Sequence, residues 1–202
     1  MTVTPGDYGA SAFYSWLAGA GYRALWTTPI RVPVADLGAL GGGGLTPLRV
    51  GGGMTTRTLH MRGANGTRYV FRSINKVPTD LLEEFEGTPI QAILQDQISS
   101  FHPSGAPVAA RLLDAVGVLH TDPKYVVVPD DPRLAEFRDE FRGMLALLEE
   151  RPDDGLDGTA GFAGSRQIVQ LEELFDILEA EPESRVDVVD LLRARCGRLA
   201  RG

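Results

Sequence analysis

The residues of this 202-residue sequence best suited to chemistry are two cations on one extended segment and a run of three glycines just before it. In Thr67-Arg-Tyr-Val-Phe-Arg-Ser-Ile-Asn-Lys76 the period of a strand puts Val70, Arg72, Ile74 and Lys76 on one face and Tyr69, Phe71, Ser73 and Asn75 on the other. Arg72 can grip an oxyanion as a two-pronged fork, and Lys76 can serve it as a point charge. Gly51, Gly52 and Gly53 can present consecutive N–H groups to a phosphate, because no Cβ stands in the way. The same residues have plainer readings: glycines as tight turns, and cations at the rim of a sheet whose apolar face runs beneath a helix. Asp96, between Gln95 and Gln97, either pairs with one of these cations or faces solvent.

Other reactive types lack the company their chemistry needs. The glycines form neither a P-loop nor a dinucleotide fingerprint. His60, His102 and His120 stand apart, with no cysteine or carboxylate at the spacing of a zinc site. His102 reads as part of a helix stop in His102-Pro-Ser-Gly105. Ser99-Ser100 has no nucleophile-elbow context, and Cys196 reads as a small packing or surface residue. Asp130-Asp131, between Pro129 and Pro132, reads as a turn that caps the next element. Gly41 to Gly44 reads as loop.

The elements that must position these residues divide into a β-rich part at about 27–76 and a helical part at about 80–200. Before them, Ala10 to Leu17 has Phe13, Trp16 and Leu17 on one helical face. The run Ile30 to Val34 is an edge strand or an extended strap, since Pro29 and Pro33 cannot donate to a ladder. Asn65-Gly66 between alternating segments predicts a hairpin from Thr56 to Lys76, both turn residues tolerating positive φ. Asp80-Leu-Leu-Glu83 and Thr88-Pro-Ile-Gln91 read as capping boxes. The second opens a helix that buries Ile90, Ile93, Leu94, Ile98 and Phe101. A third helix buries Val108, Leu112, Leu113 and Val116, and Lys124 to Val128 is an apolar strand. A longer helix carries Leu134, Phe137, Phe141, Leu145 and Leu148 inward, with Arg138 and Arg142 outside. After a loop from Arg151 to Gly164, two helices follow at about Gln167 to Ala180 and Asp187 to Leu199.

Composition bounds the class. A chain with 43% hydrophobic and 23% charged residues is globular, long enough for one core, and its single cysteine excludes a disulfide scaffold. The net charge is -7, and the basic residues, all arginine except Lys76 and Lys124, form no block in the sequence, which argues against a nucleic-acid partner. No apolar run is long enough for a membrane span. Met1 to Tyr14 has no basic region ahead of its apolar stretch, which argues against a signal peptide and makes cytoplasmic the default expectation.

Tyr22-Arg-Ala-Leu-Trp-Thr-Thr-Pro-Ile-Arg-Val-Pro-Val34, Gly-Gly-Leu-Thr-Pro at 43–47, Tyr-Val-Phe-Arg-Ser-Ile-Asn-Lys at 69–76 and Gln-Asp-Gln-Ile-Ser-Ser at 95–100 resemble an uncharacterised bacterial module. That module occurs in large envelope-associated proteins with calcineurin-like phosphoesterase or surface-antigen β-barrel domains, and the likeness runs from about Tyr22 to Arg195. It implies envelope association where the chain is part of a longer protein. A fainter resemblance is to the small lobe of protein-kinase-like phosphotransferases, where a glycine loop, a hairpin, a cation on the third strand and a helix lead to a hinge strand. It implies Arg72 in place of the phosphate-pairing lysine, Asp96 or Gln95 near the helix glutamate, Tyr125 to Asp131 as hinge, and ATP with magnesium as cofactor. The bacterial module continues after Leu192-Arg-Ala-Arg195 into Gly-Asp-Trp-Asp-Arg-His, whereas this chain reads Cys-Gly-Arg-Leu-Ala-Arg-Gly. The resemblance therefore implies that the catalytic carboxylates are missing, and no His-Arg-Asp or Asp-Phe-Gly replaces them.

The expected fold is α+β in a single domain over 1–202: a small antiparallel sheet with a central hairpin, packed by about five helices and similar to a kinase-like small lobe. The expected function is a noncatalytic or truncated kinase-like module that binds a nucleotide or phosphate through Gly51, Gly52, Gly53, Arg72, Lys76 and Asp96. The alternative is a structural or interaction domain, in which Trp26 and the strap at 29–33 serve an adjoining domain or protein.

Overall fold

The computed structural model of the chain describes residues 1–51, 56–76, 88–154, 161–165, 167–169, 171–181 and 183–189. A short ribbon pairs β1 (Thr2–Val3) with β2 (Ile30–Arg31). The main strands are β3 (Leu45–Gly51), β4 (Thr58–Gly63), β5 (Arg68–Ser73), β6 (Lys124–Val127) and β7 (Leu145–Glu150). They form one antiparallel sheet in the order β3-β4-β5-β7-β6. The helices are α1 (Ala12–Ala18), α2 (Arg23–Thr27), α3 (Pro89–Asp96), α4 (Gly105–Ala115), α5 (Arg138–Phe141) and α6 (Leu171–Ala180). The fold is α+β, as composition and periodicity predict. No helix among the described residues is long and apolar enough to cross a membrane.

The two sheet faces bury different clusters. One face sets Leu59, Met61, Phe71, Ala146 and Leu148 against Leu37, Leu134 and Phe141, and Phe71, Leu59, Met61, Leu134 and Phe141 are fully enclosed. On the opposite face Ile74 and Leu147 pack with Tyr8, Trp26 and Ile98. The strap after β2 runs along β6: Val127 N–H donates to Pro33 O at 2.9 Å, and Ala35 N–H donates to Val127 O at 2.9 Å. Pro33 has no N–H to give but keeps its carbonyl, so it seals an edge that it could not continue.

The predicted hairpin forms, but over Thr58–Gly63 and Arg68–Ser73 and short of Lys76, with Thr58 opposite Arg72 and Arg62 opposite Arg68. Its turn differs from the predicted one. Gly66 (φ +84°) is left-handed and Asn65 is not, and Gly66 N–H donates to Gly63 O at 2.9 Å. This is a three-residue loop closed by glycine, with Asn65 Oδ1 accepting the Thr67 N–H at 3.1 Å. Gly41 and Gly44 are more than loop filler. A Cβ at Gly41 would stand 2.6 Å from Gly63 Cα, so the loop crosses the hairpin end at a contact only glycines permit.

The long helix predicted through Leu148 is not there. The chain instead makes a 3-10 turn at Pro132–Phe137, the single helical turn α5, a break at Gly143, and then strand β7 between β5 and β6. Leu, Ala and Glu favour helix. A slot covered on both faces, where Ala146, Leu147 and Leu148 are all buried, overrides that preference. The helical part at about 80–200 therefore supplies two of the five strands.

Helices also bury other faces than periodicity predicts. On α4 the inward residues are Ala109, Ala110 and Leu113, while Val108, Leu112 and Val116 lie outside. Ala106 and Ala110 line a cavity beside β5, and Leu113 is the one large α4 side chain among those predicted inward that is buried. In the α3 segment Ile98 is buried, but Ile90, Ile93 and Phe101 are exposed. Phe13, Trp16 and Leu17 of α1 are exposed as well. At Asp131 the capping reading holds, since its carboxylate accepts the Arg133 N–H at 2.8 Å. Asp187 likewise accepts the Val189 N–H at 2.8 Å. The capping box at Asp80, Gly52, Gly53 and the chain beyond 189 lie outside the described residues.

Candidate functional site

Strand β5 lies in the middle of the sheet, so its neighbours on both sides fix where its side chains point. Gly51 pairs with Thr58, Thr58 with Arg72, and Arg72 with Leu147, which makes one row across four strands. With strands about 4.8 Å apart, Gly51 and Arg72 are about 10 Å from one another on the same row. Gly51, the last residue of β3, is thus level with Arg72. Thr58 in the same row is buried, and its hydroxyl has no hydrogen-bond partner among the described residues.

Gly51 lies beneath the His60 side chain. A Cβ there would lie 2.6 Å from His60 Nε2, because the imidazole covers the strand end. Burial, and then the charges of Arg49, Arg151, Arg72 and Arg68, push the His60 pKa below its ordinary value. His60 is therefore neutral near pH 7, and its Nδ1 accepts from Arg151 Nη1 at 3.4 Å.

Arg72 and Lys76 line one cavity of about 490 Å³, together with Tyr22, Thr56, Phe101 and His102. Arg72 is half-exposed, and its Nη2 lies 3.0 Å from Glu149 Oε1. Thr121 Oγ1 donates to the other carboxylate oxygen at 3.1 Å. Lys76 Nζ lies 4.6 Å from the centroid of the Phe101 ring. The Tyr22 and His102 rings meet at 4.8 Å, and Trp26 Nε1 donates to Phe101 O at 2.8 Å. Such a wall offers two cations to an anionic group and aromatic faces to a planar one. The first turn of α4 borders the same groove through Gly105 and Ala106. A larger cavity, about 740 Å³ beneath β1, is lined by Arg57 as its one charged residue among those described.

Asp96 belongs elsewhere. Its carboxylate is held by Arg23 through Nη1–Oδ1 at 2.5 Å and Nη2–Oδ2 at 2.6 Å, with the Tyr14 hydroxyl donating to Oδ2 at 3.2 Å. Neither the pairing with Arg72 or Lys76 nor a solvated helix face describes it. The Arg23 hydrogen bonds hold the Asp96 pKa below the carboxylate range against the opposing effect of burial. The partner that Arg72 actually takes, Glu149, was hidden because its strand reads as helix. Gly143 before the run and Pro152 after it are the signals that could have revealed a short buried strand. Tyr22, Thr58 with His60, and Arg151 gather from three separate stretches, and no local pattern announces them.

The site thus sits on an α+β scaffold with a five-stranded antiparallel sheet, with Arg72 on its middle strand, Lys76 just past that strand's end, and aromatic rings in the same cavity wall. No family model, curated protein or solved structure matches the chain.

Proposed function

We propose that the chain is a noncatalytic, kinase-like module that binds a nucleotide or another phosphate ligand in the groove between β5 and the segment from Phe101 to Ala106. The observation that carries this reading is the cavity shared by Arg72, Lys76, Phe101 and Tyr22. Phosphate oxygens take the two cations, and a base takes the rings. In support, Arg72 stands on the third strand of the sheet in chain order, Gly51 ends the first of these strands at its level, and α3 and α4 follow. The ion-pair partner departs from the kinase pattern: Glu149 comes from the neighbouring strand rather than from a helix.

No carboxylate among the described residues lines this cavity, so its wall offers magnesium no carboxylate ligand. In a complex with ATP and magnesium, the ligand's own phosphates would hold the metal. Trp26 lines the cavity, which makes it the reporter once Trp16 is replaced by Phe. Titrating that variant with ATP and magnesium should give a saturable change in Trp26 fluorescence. Unchanged emission at millimolar ligand sinks the proposal.

A second reading, a structural or interaction domain of a larger bacterial envelope-associated system, is favoured by one observation. Val108, Leu112 and Val116 form an exposed stripe on α4, with exposed Leu119 just beyond. Changing Leu112 to Gln should leave ligand binding intact. It should reduce association with an adjoining domain if that stripe is a docking face.

A further inference from the structure

The cavity of about 740 Å³ beneath β1 has the size of a small-molecule site and a wall of two characters. Val3, Pro29 and Met144 supply apolar surface, whereas Arg57, Ser73 and Asn75 supply polar groups. Ser73 is the one described residue that it shares with the groove of Arg72 and Lys76.

Backbone pairing brings the polar groups together. Arg57 precedes β4 and faces Ser73 at the end of β5, because Thr58 pairs with Arg72 in the next rung. Ser73 N–H donates to Arg57 O at 2.8 Å, and Arg57 N–H donates to Ser73 Oγ at 3.1 Å. The side chains of directly opposed residues leave an antiparallel pair on the same side, with Cβ atoms about 5 Å apart. Asn75 follows two residues later, and its Oδ1 accepts the Tyr8 hydroxyl proton at 2.5 Å.

These contacts occupy acceptors and leave donors. Ser73 Oγ has taken an N–H, so its own proton needs another acceptor, and none is bonded to it among the described residues. Asn75 Nδ2 keeps both of its N–H groups. The Arg57 guanidinium has no carboxylate within 4.0 Å among the described residues, and no described carboxylate lines the cavity. One full positive charge and two neutral donors therefore border an apolar hollow.

We propose that this cavity binds a small monocarboxylate with an apolar tail. The Arg57 fork grips the carboxylate, the Ser73 hydroxyl and the Asn75 amide donate to it, and the tail lies against Val3, Pro29 and Met144. A single cation matches a single negative charge, whereas a phosphate dianion would keep half of its charge uncompensated. The site does not depend on the ligand proposed for Arg72 and Lys76.

The test titrates the whole chain with benzoate and, separately, with 3-methylbutanoate, and follows the Asn75 side-chain amide and the Arg57 Nε–H by NMR. At least one of the two acids should shift both signals saturably, with a Kd below about 10 mM. Arg57→Gln should weaken that binding about 10-fold, and Arg57→Lys, which keeps the charge but not the fork, should fall between. Arg72→Gln should leave it unchanged. Phenyl phosphate should bind more weakly than benzoate, and benzyl alcohol, which has the ring without the charge, should leave the signals in place. Amide spectra would establish that each variant is folded. Signals that ignore both acids, a folded Arg57→Gln chain that binds like the parent, or phenyl phosphate that binds more tightly than benzoate would overturn the proposal.

Discussion

Arg23 and Asp96 show how a residue that reads as a surface charge comes to hold tertiary structure. Arg23 is buried, its guanidinium also reaches Tyr8 O at 3.3 Å, and Asp96 is the only carboxylate hydrogen-bonded to it among the described residues. Asp96→Asn should cost about 3 kcal/mol in urea unfolding, because a buried guanidinium loses its counter-charge. The folded-state pKa of Asp96 is depressed, so its contribution is present above the ordinary carboxylate value and lost as pH falls through the folded one. In Asp96→Asn the acid limb of the stability profile should flatten. His120 behaves in the opposite sense. Its ring donates to Thr121 O and pairs with Asp114, and both raise its pKa. Its contribution is complete below the ordinary histidine value and disappears as pH rises through the raised one. His120→Gln should remove that alkaline decline, as measured by denaturant unfolding across pH 5.5 to about 8.5.

At the scale of elements, contacts between segments decide what propensity leaves open. Replacing Gly41 by Ala sets a Cβ against Gly63 and a side chain at φ +64°, so it should destabilise by about 2 kcal/mol in thermal or urea unfolding. The same change at Gly105, where nothing lies within 4 Å, should be nearly neutral or slightly stabilising. The hairpin, the strap and strand β6 were legible in the sequence, because Asn65-Gly66, Pro29 with Pro33, and Pro123 with Pro129 act within a few residues. Strand β7 was not legible. Leu145 to Glu150 has helix-forming composition, and only its position between β5 and β6 makes it extended. The buried faces of α3 and α4 were misread for a related reason: periodicity finds an apolar stripe but cannot tell which side the sheet will take. Arg72 and Lys76 were read as a pair from strand alternation, yet the strand ends at Ser73, and it is the shared cavity wall that brings them together. Their aromatic companions come from residues 22 and 101, which only the fold brings near.

Over the whole molecule, the distribution of charge matters more than its sum. The chain carries -7, yet the sheet face that bears His60 also gathers Arg49, Arg68, Arg72 and Arg151 from three separate stretches. Only Glu149 and Asp153 answer them there among the described residues. An acidic protein with a cationic groove draws small anions to that groove, an effect that salt should weaken. The most direct test of this account is calorimetric titration of the whole chain with ATP and magnesium, beside the double variant Arg72→Gln, Lys76→Gln. The account predicts one saturable event in the parent chain and an affinity at least about 10-fold weaker in the variant, with its fold retained. Equal isotherms for the two proteins, or no heat of binding from the parent at millimolar ligand, would contradict it.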